Sequence, residues 1–446
     1  PSFFLSMFRL EGNVWAKPLH GRRAVNGRKT VLMSMGVRIQ LSVMMFIEFF
    51  VWGAWCVTLG SYLGLGLGFS GPQIGDAFNT TAYAAILSPF FVGMIADRFF
   101  PAQILLGVLH LAGAGIMYYV STITDPTLFF WALFAYALCY MPTLALVNAI
   151  AFNKMKDPSA EFPSVRVWGT LGWIVAGLVI SFILGYALKG RLAEGQAIDA
   201  TKYPIIMAAA ASLAMGLYSF TLPFTPPKGK GEKVTVSDIL GLKALGLMKD
   251  FSFLIFVIGS FLICIPLAFY YAFTNMFLNE VGVGKVAAMM SMGQMSEMFF
   301  MVIMPFFFKR LGVKKMLLIG MAAWAIRYAC FAFGGPGMPL IMLFYLGIIL
   351  HGVCYDFFFV TGQLYVDREA PSEVRANAQG FIGLVTYGLG MIVGNKIAGP
   401  VVEHFTAPDK SHNWKAIWLI PGGMAAVVIV LFAVLFHEKK SQAAAK

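Results

Sequence analysis

The chain has 446 residues, 59% of them hydrophobic and 12% charged, with a formal net charge of +12. Soluble proteins carry roughly a quarter charged residues, so this composition, with a mean hydropathy of +0.77, excludes a large soluble domain. The positive charge does not indicate nucleic-acid binding, because the basic residues lie in short loops between apolar runs and not on one soluble face.

Residues 1–36 read as a basic cytosolic tail. Its apolar run, Phe3 to Phe8, is too short for a secretory signal. Met33 and Met35 stand just before the first span as candidate starts. A membrane-crossing helix needs about 20 apolar residues. Runs of that kind cover Val37–Leu63, Ile74–Ile95, Ala102–Ser121, Thr127–Phe152, Val165–Leu188 and Tyr203–Leu222. A polar segment, residues 225–250, follows with Pro226, Pro227 and the charged run Lys228–Lys233. Six more runs come after it: Phe251–Leu278, Val286–Phe308, Met316–Gly334, Pro339–Val360, Ala376–Val402 and Trp414–Phe436.

The expectation is therefore an all-α integral membrane protein of twelve transmembrane helices. Its parts are the tail (1–36), a six-helix half (37–224), a cytosolic linker (225–250), a second six-helix half (251–437) and a short tail (438–446). About 24 of the 33 Lys and Arg fall in the tails and in loops on one side, which places both termini in the cytosol. A multi-pass membrane protein, working as a monomer in the lipid bilayer, is expected. The five cysteines all lie in apolar runs without a CxxC pair, which suits reduced structural thiols.

A weak internal repeat supports the two halves. Gly93, Asp97 and Arg98 follow the second span, and the basic loop Lys309–Lys315 follows the eighth. The spacing G-x-x-x-D-R resembles the cytosolic signature of the major facilitator superfamily, where two six-helix halves surround a central cavity.

Ionisable side chains inside hydrocarbon are costly and usually face a bundle interior or a wet path. Glu48, Trp52 and Trp55 share one face of the first span. The carboxylate there either titrates beside the rings or pairs with a cation for packing. Arg166, Thr170 and Trp173 line one stripe of the fifth span, a set that suits a flat polar ligand. Otherwise, Arg166 snorkels to the interface and Trp173 faces lipid. Gln294 and Glu297 in the eighth span offer donors and acceptors to a ligand, or clamp two helices.

In the tenth span His351, Tyr355 and Asp356 cluster, and Asp356 reads as a proton carrier, a salt-bridge partner of Arg327, or both. His110 reads as a packing histidine, and Lys396 is given no role. No HExxH, GxSxG, Walker A or Rossmann glycine motif is present. Neither an enzyme, a cofactor, a metal site nor ATP-driven transport is expected.

Several segments carry a family resemblance: Trp52-Gly53-Ala54-Trp55, Thr58–Tyr62, Tyr140–Leu144, Arg166–Thr170, Gln294–Glu297 and Tyr355–Phe358. In that order they resemble the bacterial nucleoside:proton symporter family of the major facilitator superfamily. The resemblance implies proton-coupled nucleoside uptake across the cell inner membrane by alternating access. It also implies substrate contacts at Arg166, Thr170, Trp173, Gln294, Glu297, His351, Tyr355 and Asp356, and proton coupling through Asp356, Glu297 and Glu48. A transporter of the same fold for a sugar or nucleoside derivative is the alternative.

Two departures from the family pattern stand out. The seventh span has Ala268-Phe269-Tyr270-Tyr271 where ligand-facing amides are expected, with Asn275 one turn later, and Glu48 stands where a neutral Gln is expected.

Overall fold

The computed structural model describes residues 33–91, 99–227 and 241–438. The tail up to residue 32, the loop residues Gly93, Asp97 and Arg98, the charged run Lys228–Lys233 and residues 439–446 lie outside the described residues.

The expected apolar runs become helices in chain order. The first, α1, is Met35–Cys56, prolonged after one turn by Leu59–Ser61 and the π-helical Tyr62–Gly66. Then come α2 (Gly71–Phe91), α3 (Ala102–Val120) and α4 (Pro126–Lys154). α5 is Pro158–Leu178 with the π-helical extension Val179–Leu184, and α6 is Tyr203–Ser219. After the polar segment, α7 is Phe251–Glu280.

The helix Val286–Phe333 is broken at Gly312, which has a φ of 69°, a left-handed value suited to glycine. Its two arms are α8 and α9. The next helix, α10, is Ile341–Cys354, π-helical Tyr355–Val360 and Thr361–Glu369. α11 is Arg375–Gly383, π-helical Leu384–Gly390 and Met391–His404, and α12 is Trp414–Leu435. Among the described residues nine helices are long and apolar enough to cross a membrane by length and composition. The succession is consistent with twelve spans in a major facilitator fold.

Helix starts follow capping chemistry more closely than hydropathy. Asp125 caps α4 by accepting from the Leu128 amide at 2.8 Å, with Pro126 in the first turn. Asp157 and Pro158 do the same for α5, with Asp157 accepting from Ala160 at 3.2 Å. α5 therefore begins seven residues before the expected Val165. This places Arg166 in the body of the helix, where it is buried and does not snorkel.

α2 stays against α11 as far as Ile86 and Gly388, and the closest packing of α1–α6 on α7–α12 is at the end where α1 finishes and α2 begins. Small residues let backbones close there. A Cβ added to Gly60 would lie 2.1 Å from the Ala272 carbonyl oxygen, and one on Gly71 would lie 2.2 Å from that of Gly399. At Gly177 an added Cβ would lie 2.2 Å from Ser291 Oγ. Polar groups finish the seal. Ser61 Oγ donates to Asn275 Oδ1 at 2.6 Å, and Asn395 Nδ2 donates to Asn79 Oδ1 at 2.9 Å. The Gly71 amide donates to Glu403 at 2.8 Å, and Lys396 meets Asp76 at 2.5 Å.

Candidate functional site

Below that seal lies a cavity of about 110 Å³ between the two groups of helices. Trp52 and Cys56 of α1, Met141 and Leu144 of α4 and Trp173 of α5 wall one side. Tyr271 of α7 and Tyr387, Met391 and Asn395 of α11 wall another, with α2 from Phe78 to Ser88 completing it. Trp52 and Trp173 meet edge to face with centroids 5.5 Å apart. That approach needs Gly53, whose added Cβ would lie 3.0 Å from the Trp173 backbone.

Of the site residues expected from sequence, Trp173 lines this cavity, as does Trp52 from the polar face of the first span. Arg166 lies two turns away on α5 with its guanidinium 4.0 Å from the centroid of the Phe49 ring. Gly169 leaves the room for it, since an added Cβ would stand 2.2 Å from Arg166 Nη1. The charges of Arg166 and Glu297 are near enough to act on one another. Thr170 and Gln294 are half-buried.

Glu297 and His351 bring α8 and α10 together, with His351 Nε2 3.9 Å from Glu297 Oε2. That is an ion-pair distance, too long for a hydrogen bond. His351 stacks on Tyr270 of α7 at 5.3 Å, and the Arg327 guanidinium covers Tyr270 at 4.1 Å from the ring centroid. Arg327 Nε donates to the Gly347 carbonyl at 2.9 Å. The ion pair between Arg327 and Asp356 left open by the sequence is therefore not formed. Asp356 is wholly buried, and neither carboxylate oxygen has a hydrogen-bond partner among the described residues. Its charge and that of Glu297 lie within reach of each other.

Tyr355 and Asp356 open the π-helical segment of α10, and Tyr387 sits in that of α11. The two segments meet where the Tyr387 hydroxyl donates to the Tyr355 hydroxyl at 3.3 Å. π-Helical turns recur at functional sites, and the hydropathy pattern of α10 and α11 carries no sign of them. Tyr355 thus reaches the cavity through Tyr387.

Glu48 stands apart from this group. It is bound within α1–α6 by Thr143 at 2.7 Å and His110 at 2.8 Å. The amides of the seventh span lie elsewhere too. Asn275 and Asn279 belong to the seal, where they hold Ser61 and Asp199. Tyr271 occupies the cavity wall in their place. The loop residues Gly93, Asp97 and Arg98 fall outside the described residues. All five cysteines are free. Among the described residues no cluster of His, Cys, Asp and Glu is arranged to hold a metal ion.

Comparison with known proteins gives a consistent picture. The family described as nucleoside H+ symporter matches residues 35–441. The chain is 44% identical to YegT of Escherichia coli over 92% of this chain and 96% of that protein. It is 33% identical to the xanthosine permease of Escherichia coli over 89% of this chain and 95% of that one. The crystal structure of the nucleoside transporter NupG superposes with a TM-score of 0.81 at 32% identity, covering 91% of this chain and all of that one.

Proposed function

The chain belongs to the nucleoside H+ symporter family and is a proton-coupled nucleoside transporter, and from that premise we propose how its residues divide the work. α1–α6 and α7–α12 rock against each other around the central cavity, as the two-half architecture of the fold allows. With the K/R bias placing both termini in the cytosol, the sealed end is the outer one. The conformation described is then closed toward the outside. The protein works as a monomer in the inner membrane.

The nucleoside enters between the two walls of rings. Trp173 and Tyr355 line its path, Tyr355 through the hydroxyl of Tyr387. Arg166 and Thr170 from α5, with Gln294, Glu297 and His351 from α8 and α10, supply donors and acceptors for ribose and base. A flat base suits aromatic walls, which favour offset or edge contacts with rings.

Proton coupling rests on Asp356 together with Glu297. The observation that carries this assignment is the buried Asp356 carboxylate without a donor on either oxygen. A buried ion with no partner is among the most expensive states a side chain can adopt, and a bound proton removes the charge. Loading Asp356 therefore permits closure of the cavity around it, and releasing the proton disfavours that closure, which ties the gradient to motion.

Uptake of labelled uridine, adenosine and sugars into proteoliposomes, with and without an inward proton gradient, tests this. Accumulation of a nucleoside that needs the gradient is expected. A sugar accumulated while every nucleoside is refused would overturn the substrate assignment.

A further inference from the structure

Glu48 and His110 form a second buried titratable pair, and its hydrogen bonds fix how many protons it holds. Glu48 Oε1 accepts from Thr143 Oγ1 at 2.7 Å, and Oε2 lies 2.8 Å from His110 Nε2. On the far side of the ring, Nδ1 lies 3.0 Å from Ser212 Oγ. Ser212 Oγ itself donates to the His110 carbonyl oxygen at 3.1 Å. A hydroxyl has one proton, so Ser212 offers Nδ1 only a lone pair, and Nδ1 carries a hydrogen. The short contact between Nε2 and Oε2 then requires a second one, because two lone pairs at that distance repel.

Charge points the same way. Turning the Ser212 hydroxyl onto Nδ1 would leave a neutral imidazole beside a bare carboxylate. Glu48 and His110 are 0% and 1% exposed, and an uncompensated buried ion is strongly unfavourable. The other ionisable groups nearby are Cys56 of α1, Tyr136 and Tyr140 of α4 and Arg166 of α5. The first three are neutral when protonated. The Arg166 charge acts on Glu297, Tyr355 and Tyr140, and its guanidinium lies on the Phe49 ring.

We propose that Glu48 and His110 form a binding site for one proton that stays loaded throughout the transport cycle and is not itself transported. The hydrogen-bonding partners of the pair come from α1, α3, α4 and α6. Rocking of one helix group against the other leaves those contacts intact. Tyr140 closes the route to the cavity. Its hydroxyl donates to the Glu48 carbonyl at 2.7 Å, and its ring meets His110 and Trp52 edge on, each at 5.9 Å. The proposal rests on the proton-coupled reading above and separates a stored proton from the one carried at Asp356.

The test is ¹⁵N magnetic resonance of the full-length, histidine-labelled protein in nanodiscs, with His110 identified by the signal lost in His110→Gln. Both ring nitrogens are expected to be protonated, or to share a proton with Glu48, with nucleoside bound or absent. A His110 signal showing an unprotonated ring nitrogen, or one that changes on nucleoside binding, would overturn the proposal.

A second measurement is the proton-to-nucleoside ratio of His110→Gln in proteoliposomes. It should equal that of the unaltered protein, while the melting temperature falls by about 5 °C. A lowered ratio with nucleoside exchange preserved would make the proton a transported one. If the unaltered protein shows no gradient-driven uptake at all, the transport reading fails while the resonance measurement still decides the state of the pair.

Discussion

Asn79 of α2 and Asn395 of α11 meet side chain to side chain, with Asn395 Nδ2 donating to Asn79 Oδ1 at 2.9 Å. Asn395 also lines the cavity, so this contact marks where the seal ends and the cavity begins. Close by, Lys396 pairs with Asp76, but both side chains are well exposed, at 56% and 39%. An exposed ion pair contributes about 0–1 kcal/mol, whereas a buried polar group stripped of its partner costs about 1–3 kcal/mol. Asn79→Ala should therefore shift the protein toward the form open at this end more than Lys396→Gln does. Spin-label distances between α2 and α11 read the shift. A larger effect from Lys396→Gln would show that the exposed pair holds the seal.

Gly60 tests the seal by steric means. Its absent Cβ is what lets α1 approach the Ala272 carbonyl. Gly60→Val cannot close without displacing α7 backbone, so it should hold the sealed end open. Nucleoside binding should persist while uptake falls by roughly tenfold or more, about 1.4 kcal/mol or more against the closed form. Binding is measured by calorimetry and uptake in proteoliposomes. Normal uptake would mean that this approach is not part of the cycle.

Asp199 gives the seal a pH dependence. It lies between α5 and α6, outside the spans, and accepts from Asn275 Nδ2 at 3.0 Å and Asn279 Nδ2 at 3.5 Å. Burial pushes its carboxyl above the ordinary value of 3.8, against the pull of those amides. Opening returns it to water and to that ordinary value, so the closed form binds the proton more tightly. Closure is then favoured as pH falls toward the raised value, and that gain is lost as pH rises through it. The closed population should be larger at about pH 4.5 than at about pH 7.5, and Asp199→Asn should flatten the difference. Spin-label distances check both. An unchanged pH response in the variant would move the titration elsewhere.

Gly169→Ala places a methyl 2.2 Å from Arg166 Nη1 and 2.6 Å from Phe49 Cδ2. The guanidinium has to leave the Phe49 face, so KM for nucleoside should rise by roughly tenfold, about 1.4 kcal/mol, with the melting temperature nearly kept. Arg166→Lys should do the same, since an ammonium lacks the planar fork. Unaltered KM in both variants would remove Arg166 from the substrate site.

The spans were legible in the sequence because apolar runs of membrane length have few other meanings. So was the cast of buried polar residues, because each interrupts such a run. Their pairings were not. Glu48 finds His110 from a helix 62 residues away and Ser61 finds Asn275 from one 214 residues away, and no periodicity encodes such contacts. Lys396 looked idle because its partner, Asp76, sits in another helix. α10 extends to Glu369, well past its apolar run. The π-helical segments that bring Tyr355 to Tyr387 were hidden as well, because one extra residue per turn leaves no trace in composition. The amides expected on the cavity wall moved to Asn275 and Asn279, one and two turns nearer the seal.

Asp356 is the proposed carrier of the coupled proton. Its most direct test is gradient-driven accumulation of labelled nucleoside by Asp356→Asn in proteoliposomes, measured beside exchange between equal internal and external nucleoside. Accumulation should disappear while exchange continues, because a permanently uncharged side chain permits closure but releases no proton. Accumulation to the unaltered level in Asp356→Asn would contradict it.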